Sequence, residues 1–188
     1  MSDTARFDVS VILPFGDDEE AVGIAVKRTA EYLRSLGVSF EILAIDEDSR
    51  DNSHAVLALL RAQAPELRVT HAPGPGRGVD VGAGRAQGTL LLVTTPDVAS
   101  ASLDGAGDAC RRLLAGDGHA EVALGRFTVA HRIRAMAAFR GVRLSAAAMH
   151  RRIAKRLEML RLAVRVAAAP GAVAKSAARR FRAFARFG

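Results

Sequence analysis

A chain of 188 residues, 49% apolar and 25% charged, is long enough to bury one core, and this balance excludes a disordered or fibrous protein. A single cysteine, Cys110, excludes an intrachain disulfide and a cysteine-built metal cluster, and the absence of tryptophan with one tyrosine leaves little aromatic surface for stacking. The net charge of +7 is unevenly held: residues 1–126 carry 12 Lys/Arg against 19 Asp/Glu, whereas residues 127–188 carry 15 against one acid, Glu158, so two parts with different partners are expected.

The opening MSDTARFDVS has no apolar run behind a basic segment, so no signal peptide is expected. The longest uncharged stretch, 86–96, is far shorter than the roughly 20 residues a membrane-spanning helix needs. Phe7 to Leu13 reads as a buried strand closed by Pro14. From Glu20 to Leu36, Val22, Ala25, Val26, Ala30 and Leu33 recur at helical spacing, with Gly37 as the stop. Phe40 to Ile45 is a second strand that runs into the acidic turn Asp46-Glu47-Asp48-Ser49. Asn52 or Ser53 caps a helix over 54–64, which ends before Pro65. Leu67 to His71 is a third strand, followed by the glycine-rich loop Pro73 to Gly78. Thr89 to Thr94 is a fourth strand, Leu103 to Leu114 a helix, and Val122 to Leu124 a fifth strand.

Strands alternating with helices predict right-handed crossovers and an α/β fold with a mostly parallel, doubly wound sheet covered on both faces. Ligands of such sheets bind beyond the carboxyl ends of the strands. That rule singles out 14–20, 46–51, 73–78 and 94–97. After about Thr128 the strand pattern stops. His131 to Val166 is rich in Ala and Arg and helical by propensity, with Met149, Ile153, Leu157, Leu160 and Val164 on one stripe. Pro170-Gly171 interrupts it, and Ala172 to Phe187 sets Phe181, Phe184 and Phe187 beside four arginines. The expected division is an α/β domain over 1–127 and a basic amphipathic helical extension over 128–188.

Taken in order, these segments resemble the family 2 glycosyltransferases, especially the polyprenyl-phosphate sugar transferases. VSVILPFGDDEE stands for the opening strand and its Pro-x-x-Asn-Glu-Glu stretch. Ile45 to Asp51 stands for Val-Asp-Asp-Gly-Ser-x-Asp. Gly74-Pro75-Gly76, Asp80, Gly82 and Ala86-Gln87-Gly88 follow the Gly-Lys-Gly region. Thr95-Pro96-Asp97 takes the place of Asp-x-Asp, and Gly125-Arg126-Phe127 is close to Gly-Ser-Arg. The resemblance spans about residues 7–127. It implies the nucleotide-diphospho-sugar transferase fold (GT-A).

It also implies roles. Pro14, Asp18 and Asp46 would hold the base and ribose of a nucleoside-diphosphate sugar. Gly74, Gly76 and Arg77 would face its diphosphate. Asp97 would hold a divalent cation, Mg²⁺ or Mn²⁺, since hard cations take carboxylate oxygens. The same residues have plainer uses: Asp17 to Glu20 suit a helix start, Asp46 to Asp51 a turn and cap, and 73–78 and 95–97 ordinary turns. The departures are Thr95 for the first Asp of Asp-x-Asp, Pro75 for the Lys and Asp80 for the later Arg. No Asp follows Asp117 to act as a general base, so no catalytic residue is assigned.

The five histidines are scattered without metal-ligand spacing, and neither Gly-x-Gly-x-x-Gly nor a P-loop lysine is present. A receiver domain is disfavoured by the lack of a lysine after the fifth strand. The basic extension suits an anionic membrane surface or a polyprenyl phosphate. Nucleic acid is not the expected partner, because no nucleic-acid module is recognisable. The resulting expectation is a glycosyltransferase-like protein, cytoplasmic and peripheral on the inner face of the membrane, passing a sugar to a lipid-phosphate or glycan acceptor. The alternative is an inactive relative that binds or scaffolds a protein partner such as an active transferase.

Overall fold

The computed structural model describes residues 5–140, 149–160 and 162–167. Within them lie, in chain order, β1 (Phe7–Phe15), α1 (Glu19–Ser35), β2 (Phe40–Asp46), α2 (Ser53–Leu60), β3 (Leu67–His71), α3 (Gly78–Arg85) and β4 (Gly88–Val93). There follow α4 (Pro96–Ala101), α5 (Ala106–Leu114), β5 (Ala120–Ala123), β6 (Phe127–His131), α6 (Arg132–Phe139), α7 (Met149–Met159) and β7 (Val164–Ala167). The strands form one sheet in the order β3-β2-β1-β4-β6-β5-β7. β1 pairs in parallel with β2 and β4, β2 with β3, and β5 with β7. β6 alone runs against its neighbours β4 and β5.

Because side chains alternate across a strand, each central strand feeds two cores. Val9, Val11, Leu13 and Phe15, with Ile42, Ala44, Leu90 and Leu92, meet α1, α2 and α5 on one face. Ile12, Leu43, Ile45, Leu91 and Val93 meet α3, α6 and α7 on the other. α1 buries Val22, Ala25, Val26, Thr29, Ala30 and Leu33, the spacing of one helical face, and the chain leaves it through Gly37 at φ 69°. Cys110 lies fully buried in α5, and burial pushes its thiol up to about 12.

The sheet does not stop near Thr128. The expected boundary at 127 falls inside β6, and α6 and α7 cover the second face with Ala135, Ala138, Phe139, Met149, Ile153 and Leu157. The described residues 128–140, 149–160 and 162–167 therefore complete the α/β unit rather than append to it. The helical stripe also ends early: Val164, expected on α7, belongs to β7, where it pairs with Ala120. Val-Arg-Val-Ala is a short β-branched alternation whose exposed Arg165 meets Asp117 at 3.5 Å. Strong helix formers on its N-terminal side hide this signal. The Phe- and Arg-rich segment 172–187 lies outside the described residues.

Two helices are unforeseen. α4 begins with Pro96 in its first turn, where a missing N–H costs nothing. α3 contains three glycines, which weaken any propensity for helix. At Gly82 the use is steric: a Cβ there would lie 2.5 Å from Cγ2 of Ile12, so glycine lets α3 settle against β1.

His150 on α7 is 3% exposed, and its Nδ1 is 2.9 Å from the Thr128 hydroxyl of β6. Burial lowers its pKa from 6.5 to about 4, so the folded protein holds it neutral. Between those values the unfolded chain binds the extra proton, and stability falls as pH falls. Going from pH 7 to pH 5 is expected to cost roughly 1–2 kcal/mol through this residue. Urea unfolding at both pH values should show a smaller pH dependence in His150→Gln; an unchanged dependence would refute the assignment.

Candidate active site

The carboxyl ends of β1, β2 and β4 gather most of the residues singled out by sequence. Beyond β1 the chain turns through Gly16, whose N–H donates to Oδ2 of Asp18 at 2.8 Å. Asp18 stands at the N-cap of α1, yet its carboxylate turns back to the loop instead of capping the helix. Its own N–H is held by Oγ of Ser53 at 3.0 Å. Burial raises the Asp18 pKa, and the negative charges of Asp97, Asp51 and Asp17 add to the rise, while the Gly16 N–H opposes it.

The other acids of this stretch knit loops. Asp17 accepts from the Arg50 N–H at 2.7 Å, and Asp51 accepts from the N–H groups of Glu19 and Ser53. These bonds tie the end of β1 to the start of α2 and set the angle at which Asp18 is presented.

Asp46 closes its own turn. Oδ1 accepts from the Ser49 N–H at 2.9 Å and the Ser49 hydroxyl at 2.7 Å, and Oδ2 lies 3.8 Å from Nδ1 of His71. Burial works to raise its pKa, but the Ser49 bonds and the neighbouring His71 and His54 outweigh it, and the net shift is downward. Asp48 follows at φ 75°, a left-handed conformation that Asp tolerates better than most residues, in the place where the resembling motif has Gly.

A cleft of about 120 Å³ opens between β1 and β4. It is lined by Pro14, Gly16 and Asp18 from the first loop, Glu47 from the second, Thr95 to Asp97 from the fourth, and by Val79 and Met149. Asp18 and Asp97 thus share one cleft, while Asp46 stands beside it and is not part of the lining. Whole-ligand pockets commonly measure about 300–1,000 Å³, so these walls enclose part of a nucleotide-sized ligand.

Glu47 is the residue that sequence reasoning passed over. Its Oε2 accepts from the Gly76 N–H at 2.9 Å and its Oε1 from the Gly78 N–H at 2.6 Å. The glycine loop, with Gly74 at φ 97° and Gly76 at φ 73°, therefore wraps a carboxylate of its own chain. Arg77 lies 3.9 Å from Asp80, so the acid that stands where the resembling motif has Arg has a cation beside it. The one available signal was the acidic residue following Asp46, which local sequence alone does not connect to a loop 30 residues later.

A divalent cation fits this donor chemistry. Asp18 and Asp97 supply hard oxygens, and a positive ion in the cleft would offset both the burial of the Asp18 carboxylate, the main cause of its raised pKa, and the smaller repulsion from Asp97. Among the described residues no group of three or more His, Cys, Asp or Glu side chains can hold a metal unaided, so a cation here would share its coordination with ligand oxygens.

No protein-family model matches the chain. Solved structures share its fold. The mannosyltransferase PcManGT from Pyrobaculum calidifontis, in complex with GDP-Man and Mn²⁺, aligns with a TM-score of 0.64 at 17% identity over 96% of this chain and 61% of that one. The M. tuberculosis glucosyl-3-phosphoglycerate synthase aligns at 0.63 and 16% identity over 87% and 70%. S. aureus TarS aligns at 0.61 and 12% identity over 86% of this chain but 35% of its own length. The chain thus spans about a third of TarS and three fifths of the mannosyltransferase. The fold is GT-A, that of the nucleotide-diphospho-sugar transferases.

Proposed function

We propose that this GT-A chain binds a nucleoside-diphosphate sugar and serves its transfer to a lipid-phosphate or glycan acceptor at a membrane surface. The observation that carries the reading is the shared cleft: Asp18 and Asp97 line one cavity beyond the carboxyl ends of β1 and β4. In this reading Pro14, Asp18 and Asp46 lie on the nucleoside side, Gly74, Gly76 and Arg77 border the diphosphate, and Asp97 holds Mg²⁺ or Mn²⁺. The cation, when bound, offsets charge developing on the departing nucleoside diphosphate.

The acids present after the cleft residues bear on the acceptor class. The chain has no Asp after Asp117, and of its two later acids Glu121 is buried against Arg112 at 2.8 Å while Glu158 is exposed on α7. A hydroxyl acceptor needs a base to take its proton, whereas a phosphate is already ionised near neutral pH. The reading therefore favours a phosphate acceptor. Among the described residues no helix is long and apolar enough to cross a membrane. The 15 cations of 127–188 supply the attraction to anionic lipid, about 1 kcal/mol for each one near the surface, on the cytoplasmic side.

The second reading is an inactive relative that binds or scaffolds a protein partner. Thr95 in place of a carboxylate and the loop amides taken by Glu47 favour it. Calorimetry with UDP and GDP, with and without Mn²⁺, separates the two. Micromolar, metal-dependent binding is expected for the transferase; binding indifferent to metal, or none, favours the scaffold. Flotation with liposomes is expected to carry the protein up when anionic lipid is present and to leave it behind when it is not. Equal flotation in both would refute the membrane part.

A further inference from the structure

Glu47 reaches across from the turn after β2 to the loop before α3. Two N–H groups converge on its carboxylate at 2.9 and 2.6 Å, the geometry of charge-assisted bonds. The seat is built for it: a Cβ on Gly78 would lie 2.7 Å from Oε1 of Glu47 and 2.8 Å from Cβ of Pro14. Pro75 contributes no N–H to the loop, so the amides at 76 and 78 are those an outside anion would most readily compete for.

The charges around that seat point one way. Asp18, Glu47 and Asp97 line the cleft, and among the described residues that line it there is no Lys or Arg. The neighbouring Arg77 faces Asp80. An anion arriving alone meets three carboxylates and finds the loop's amide pair already taken.

We propose that Glu47 is a specificity-determining residue of the cleft: by filling the amide pair of the glycine loop it makes the cleft reject a free diphosphate and accept one only as its complex with a divalent cation. The proposal rests on the diphosphate-binding reading above. It goes further by assigning the discrimination between bare and metal-bound ligand to a residue that holds no metal.

The test is calorimetry with inorganic pyrophosphate, with and without Mn²⁺, on the full chain and on Glu47→Gln and Glu47→Ala. The full chain is expected to bind pyrophosphate only with Mn²⁺. Both variants are expected to bind metal-free pyrophosphate at least about tenfold more tightly than the parent. A metal-free affinity that is unchanged or weaker in both overturns the proposal. Amide hydrogen exchange supplies a reading independent of ligand: Gly76 and Gly78 should exchange faster in Glu47→Ala while β1 and β4 keep their protection. Unchanged protection at those two amides also overturns it. Mn²⁺-dependent UDP binding in the parent without any gain in the variants refutes the role of Glu47 and leaves the nucleotide reading standing. A metal-free gain in the variants without UDP binding in any form supports Glu47 and sinks the nucleotide reading.

Discussion

On the reading proposed above, in which Asp97 holds the cation, Asp97→Ala is expected to abolish metal-dependent binding of UDP or GDP, a loss of at least about a hundredfold in affinity, because direct metal ligands matter more than the supporting groups that cost 10–100-fold. With Thr95 in the place of the first carboxylate of the resembling motif, Asp97 is the one carboxylate of that stretch, and in the same reading Asp18 across the cleft serves the nucleoside side. Asp18 is already partly buried, holds the Gly16 N–H, and prefers protonation more than an ordinary aspartate. Asp97 is exposed in the first turn of a short helix, so its removal should leave the fold intact. Asp97→Asn should behave like the alanine variant, since what is lost is charge and not shape. Calorimetry with Mn²⁺ present decides the matter. An Asp97→Ala protein that binds as tightly as the parent would remove the metal from this cleft.

The second large effect concerns the sheet. Gly88→Val is expected to destabilise the protein by about 3 kcal/mol or more. A Cβ at 88 would lie 2.5 Å from the backbone nitrogen of Ser10 and 2.8 Å from the carbonyl carbon of Val9. Neither atom can rotate away, because both belong to β1, the strand that pairs with β2 on one side and β4 on the other. The N–H of Gly88 also donates to Oγ of Ser10 at 2.7 Å, and that hydroxyl donates to the buried Glu41, so a shift in one strand disturbs the next. Gly84→Ala is the control: nothing lies within 4 Å of its Cβ, and alanine there should raise stability by up to about 1 kcal/mol. Denaturant midpoints of both variants against the parent give the comparison.

How far such features can be read from sequence depends on how local their causes are. The apolar runs of β1, β2 and β4 announce themselves because strands buried on both faces cannot alternate with polar residues. The stripe of α1 is equally plain. Asp18 and Asp97 could be placed on one rim because strand ends in a parallel sheet share an edge. α3 was hidden because Gly78 and Gly82 answer to Pro14, Glu47 and Ile12, far away in sequence, and not to helix propensity. β7 was hidden because its partner is β5, and four residues of weak alternation inside an Arg-rich run carry no independent signal. Glu47 was hidden for the same reason: its meaning lies in two amides of a later loop. Asp46 went the other way, a residue marked for ligand that spends one oxygen on Ser49.

The strand order also governs when the molecule can form during synthesis. β1 precedes every other described strand in the chain, yet one of its edges waits for β4, with Phe7 opposite Gly88, and β5 waits for β7, with Ala120 opposite Val164. A nascent chain released up to α3 holds β1 paired on one side and bare on the other. Sheets closed by such distant partners assemble slowly and leave edges open to the wrong neighbour meanwhile. Truncation before residue 164 would remove β7 and leave β5 as an uncovered edge for intermolecular pairing.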